Sequence, residues 1–67
     1  MVKQGIVTNY NGEYGCIITD NKEVYDFSKG DISFGKPLQV NDIVVFRAED
    51  KGKELKLARN VLKPDKR

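Results

Sequence analysis

Turn residues recur every eight to twelve positions along this 67-residue chain, and the stretches between them carry β-branched and aromatic side chains. That spacing has room for short strands and little else, which favours a small sandwich or barrel. Residues 3–10 hold Ile6, Val7 and Thr8, side chains suited to a pleated strand. Asn11-Gly12 follows as a hairpin signal, because both residues accept positive φ. Residues 14–19 read as a second strand closed by Asp20-Asn21, and residues 23–27 as a short third. From Ser28 to Val40 the alternation is lost. Gly30, Gly35 and Pro37 punctuate that connection, where Ser28 or Asp31 is placed to cap a single helical turn. Asn41-Asp42 opens a fourth strand that runs through Ala48, with a turn at Asp50, Lys51 and Gly52. Residues 55–62 form the fifth, ended by Pro64. The Val- and Ile-rich residues 43–48 lack a 3.6-residue apolar period, which argues against helix there.

Five strands with a long connection between the third and fourth imply an all-β fold: a five-stranded antiparallel Greek-key barrel of the OB type. Closure suits a chain too small to cover sheet edges with another layer. Residues 1–63 are read as one such barrel and residues 64–67 as a disordered tail.

A domain this short is marginally stable unless stapled, and Cys16, the only cysteine, cannot form a disulfide within the chain. There is no histidine. Together these remove the common zinc sites and every His-based catalytic arrangement. Paired carboxylates such as Glu49-Asp50 sit in a turn, and no phosphate loop, nucleophile elbow or metal-ligand cluster is present. The expectation is a binding module, not an enzyme, with no cofactor and no metal. The longest apolar run, residues 43–46, is too short to span a bilayer, so no membrane role is expected. A lone cysteine suits a reducing compartment, which places the chain in the cytoplasm. The net charge of +2 is unevenly spread: residues 1–50 balance at −3 and residues 51–67 at +5. A basic tail of that kind attracts phosphates in a salt-dependent way.

In order along the chain, several short motifs resemble those of the bacterial cold-shock domain family. Gly5-Ile6-Val7 leading to Tyr10-Asn11 is similar to that family's opening strand. Tyr14-Gly15-Cys16-Ile17 stands where its first ribonucleoprotein motif belongs, and Val24-Tyr25-Asp26-Phe27-Ser28 stands where its second does. Phe34, Lys36 and Leu38 echo its loop, and Ala58-Arg59-Asn60-Val61 its last strand. The departures are specific too. Asn9 replaces a tryptophan, Cys16 replaces an aromatic, and the second motif lacks its histidine.

The resemblance implies binding of single-stranded RNA or DNA with little sequence preference, in the manner of an RNA chaperone. Bases would stack on aromatics outside the barrel while basic side chains track the phosphates. The rings it points to are Tyr10, Tyr14, Tyr25, Phe27 and Phe34, and the cations are Lys29, Lys36, Lys56 and Arg59, with Lys3 as a further contributor. Phe27 is equally compatible with core and surface, because a one-residue slip in the third strand exchanges its faces. The alternative is a degenerate OB domain acting as a protein-interaction or regulatory module, with a protein partner if the chain is part of a longer one. The −3 balance around the aromatics, with Asn9, Cys16 and Asp26 among them, motivates it.

Overall fold

The computed structural model describes residues 2–33, 37–50 and 56–64. The first hairpin joins β1 (Val2–Tyr10) to β2 (Tyr14–Thr19). Its turn is built differently from the expectation that both Asn11 and Gly12 take positive φ. Only Gly12 does, at 100°. Asn11 instead works through its side chain, whose Oδ1 accepts the backbone N–H groups of Glu13 and Tyr14 at 2.9 Å each. That is the local bond by which asparagine competes for turns. The next turn pivots on Lys22, at φ 67°, and leads into β3 (Val24–Ser28).

One 3-10 turn, Lys29–Asp31, follows directly. The Asp31 carboxylate reaches back to accept the Ser28 N–H at 2.9 Å and its hydroxyl at 3.2 Å, so both expected capping residues take part. Strands β4 (Ile43–Asp50) and β5 (Lys56–Leu62) complete the set. Residues 65–67, most of the expected tail, lie outside the described residues.

The strands close into a barrel in the order β1-β2-β3-β5-β4, with β1 pairing to both β2 and β4. Among the described residues the strand pairings are antiparallel except β3 with β5, which meet in parallel at Asp26 and Leu57, and an isolated parallel bridge joins Ile32 to Val61. The expected architecture is therefore present, with one parallel seam where the chain crosses to close it. Inside lie Val7, Ile17, Val44, Phe46 and Val61, each at most 2% exposed. Full burial of such side chains stabilises by roughly 1.5–3 kcal/mol each.

Two irregularities set which side chains face in. Between Val7 and Asn9 the β1–β2 register jumps by one residue, a bulge at Thr8. Val7 points inward, Thr8 and Asn9 are both exposed, and Tyr10 swings back to pack against the core. A second shift falls between Val45 and Arg47 of the β4–β5 ladder, where Asn60 takes φ 54°. It lets Ala58 and Val61, three residues apart, both face the interior.

Candidate nucleic-acid interface

The hairpin end of the β1–β2–β3 wall carries a shallow groove lined by Asn9, Tyr10, Tyr14, Cys16, Asp26 and Phe27. Its shape follows from Gly15. Tyr10 and Phe27 flank Gly15 in register across the three strands. With no side chain between them, their rings stack at 5.4 Å and 27°. A Cβ on Gly15 would fall 2.6 Å from Phe27 Cζ, so the stack exists only because this residue is glycine. The Tyr10 hydroxyl donates to the Gly12 carbonyl at 3.2 Å, which fastens the ring over the barrel end. Tyr14 projects the other way, 65% exposed, at the lip of the groove.

The five rings singled out from sequence therefore separate. Tyr14 is open to solvent and Tyr10 is half-buried. Tyr25 is corrected to core: it is 2% exposed, packs on Phe46 at 5.1 Å, and sends its hydroxyl to Glu23 at 3.4 Å. Phe27, a candidate stacking ring equally compatible with core, is corrected to core as well: it is 2% exposed. It forms the groove's floor rather than a free stacking face. The cause is alternation along β3, which turns Val24 and Asp26 outward and the rings between and beyond them inward. Phe34 lies outside the described residues, as does Lys36.

The cations divide in a similar way. Arg59 is held by Asp31 at 2.7 Å and Glu49 at 3.3 Å, and Lys56 pairs with Glu23 at 3.5 Å. Lys3 joins the same Glu23 at 3.5 Å, on the side of the barrel where Lys56 covers the Tyr25 ring. These groups brace the barrel, and as phosphate ligands they would first have to leave a carboxylate. Lys29 is exposed and has no ion pair among the described residues. It follows Ser28, the pairing partner of Tyr14, and its own N–H donates to the Glu13 carbonyl at 2.7 Å.

Sequence reasoning used Asn9, Cys16 and Asp26 as departures from a pattern and as grounds for the protein-interaction alternative, without placing them together; they form the middle of the groove. Cys16 pairs with Asn9 on one side and Asp26 on the other. Its thiol donates to Asp26 at 3.2 Å. Burial, then that bond and the negative charge of Asp26, push the Cys16 thiol up, so it stays protonated at neutral pH. Among the described residues no three of Cys, Asp and Glu gather as a metal-binding group.

No family model matches the chain, and no curated protein matches it. Among solved structures, the barrel is similar to "drosophila Unr CSD456", with a TM-score of 0.79 over 97% of this chain and 13% sequence identity. The fold is that of a cold-shock domain. This chain spans 27% of the Unr chain, so the likeness concerns about a quarter of that chain's length. At that identity the likeness concerns the fold, and what the groove does is argued from this chain's own residues.

Proposed function

We propose that the chain binds single-stranded nucleic acid weakly, at the hairpin end of the β1–β2–β3 wall, with Tyr14 as the ring on which a base stacks. The observation that carries this reading is the open Tyr14 side chain at the lip of the groove, with Lys29, which has no ion pair among the described residues, one residue beyond its pairing partner. A stacked base contributes about 1–3 kcal/mol, and every base offers a π-face, so the reading implies little sequence preference. Tyr10 and Phe27 support the site from below by fixing the groove's floor. The reading covers RNA and DNA alike, since stacking on Tyr14 engages the base and not the sugar.

Titration of a pyrimidine oligonucleotide in low salt, followed by backbone NMR shifts, tests it. Shifts centred on Tyr14, Gly15 and Lys29, abolished by Tyr14→Ala, are the expected result. No movement there at about 1 mM oligonucleotide would reject the reading. One observation favours a second reading, a protein-interaction module: the Asp26 carboxylate stands on the same face as Tyr14 and repels phosphate. Its signature is a protein captured through Tyr14 by a chain that ignores the oligonucleotide.

A further inference from the structure

The β2–β3 ladder sets an aromatic ring and a carboxylate side by side on the outer wall. Tyr14 and Cys16 share the outer face of β2, while Gly15 and Ile17 point inward. Cys16 pairs with Asp26 of β3, so Tyr14 and Asp26 are diagonal neighbours across the two strands. Side chains so related stand about 7–8 Å apart, within reach of a large ring. Asp26 is exposed, and it is the charged residue among those lining the groove. Among the described residues its carboxylate has no ion pair and accepts one weak bond, from the Cys16 thiol to Oδ1 at 3.2 Å. Glu23, Asp31, Asp42 and Glu49 each hold a cation instead. The thiol steadies one oxygen of Asp26 and leaves most of the acceptor capacity of the carboxylate unused.

We propose that the groove reads guanine: a guanine stacked on Tyr14 turns its Watson–Crick edge to Asp26, whose two oxygens accept N1–H and N2–H. This deepens the nucleic-acid reading and rests on Tyr14 as the stacking ring. Stacking alone is indifferent to the base, and the carboxylate adds the choice. An ionised carboxylate only accepts, so it sorts bases by the donors they present. Guanine is the base with two N–H groups side by side on that edge, a match for two carboxylate oxygens. Adenine and cytosine offer one amino group beside a ring-nitrogen lone pair. Uracil and thymine offer one N–H between two carbonyl oxygens, which the carboxylate repels. A purine also suits the span, because its two fused rings cover the tyrosine and still carry the edge toward β3. Repulsion between Asp26 and phosphate weakens every strand alike, and the donors of guanine offset it, so a general cost becomes a preference.

The test titrates the full chain in low salt with short oligouridines that differ in one central base: guanine, hypoxanthine, adenine or uracil. Amide shifts report the affinities. Hypoxanthine keeps N1–H and lacks the 2-amino group, so it stacks as guanine does and offers one donor fewer. The guanine strand should bind at least about fivefold tighter than the uracil strand, with hypoxanthine between them. Asp26→Asn, at an exposed position, should remove most of that preference and tighten the uracil strand, since an amide accepts through one oxygen and carries no charge. Equal affinities for the four strands, with Tyr14→Ala still abolishing the shifts, overturn the proposal and leave stacking intact. A guanine preference that survives Asp26→Asn unchanged overturns it as well. Binding that ignores Tyr14→Ala, or no binding of any strand, removes the stacking reading and this one with it.

Discussion

Gly15 and Gly12 are four positions or fewer from the same turn, yet they carry different burdens. Gly15 is buried, and a Cβ there would lie 2.5 Å from the Asn9 carbonyl oxygen and 2.6 Å from the Phe27 ring. Neither neighbour can yield cheaply, one being backbone and the other locked in a stack. Gly15→Ala should therefore cost about 1–3 kcal/mol, as overpacked sites do. Gly12 has open space around it and is constrained only by its φ of 100°. Gly12→Ala should cost about 1 kcal/mol from backbone strain alone. Urea midpoints separate the two, and only Gly15→Ala should alter the ring-current shifts of Tyr10 and Phe27. Asn60 offers a parallel case at φ 54° in the β5 bulge. Asn60→Gly should be nearly neutral, whereas the β-branched Asn60→Val should lose about 1–2 kcal/mol and lower the thermal midpoint by several degrees. Equal midpoints for the two variants would mean the bulge does not depend on that backbone conformation.

At the scale of elements, the 3-10 turn is tied to the strands by Asp31, which accepts Ser28 from its own turn and Arg59 from β5. Burial alone would push the Asp31 carboxyl up, but the hydrogen bonds from Ser28 and Arg59 outweigh it and hold it below its ordinary value. Glu23 is likewise lowered, chiefly by the charge of Lys56, against burial and with help from Lys3. A carboxyl depressed in the folded state stabilises above its unfolded pKa, near 4, and that contribution disappears as pH falls through the folded value. The chain should lose stability from about pH 4 downward. Asp31→Asn should be less stable than the natural chain at neutral pH, with the difference shrinking in acid. A difference that persists unchanged at low pH would assign Asp31 a purely steric role. The elements themselves were legible in the sequence, since β-branched runs and Asn, Asp and Gly turns act locally. The β3 facing was missed although its signal is present: Asp26, the charged residue of that strand, stands between Tyr25 and Phe27, and keeping that carboxylate in water turns both rings inward. The Thr8 bulge was not legible. It is set by register against β2, and it alone turns Tyr10 from the outer wall to the barrel end.

For the molecule as a whole, the formal charge of +2 is unevenly committed. Among the described residues, Lys3, Lys56, Arg59 and Lys63 stand in ion pairs with Glu23, Asp31, Glu49 and Asp42. Lys22, Lys29 and Arg47 are exposed without one, but they do not act together. Lys22 sits in the β2–β3 turn, and Arg47 pairs with Val2, so both belong to the barrel end opposite the groove. Of these three, only Lys29 lies at the groove end, next in sequence to Ser28, the pairing partner of Tyr14. Single-strand binding releases about 0.7 counterion per neutralised phosphate. The dependence of log affinity on log salt should therefore have a slope near −0.7, shallow for a polynucleotide ligand. Lys29→Gln should flatten it toward zero, while Lys22→Gln and Arg47→Gln should leave it unchanged, each read by fluorescence titration at several salt concentrations. A slope of about −2 or steeper would show that the braced cations leave their carboxylates, or that Lys36 joins the contact, and Arg59→Gln against Lys36→Gln would then tell which.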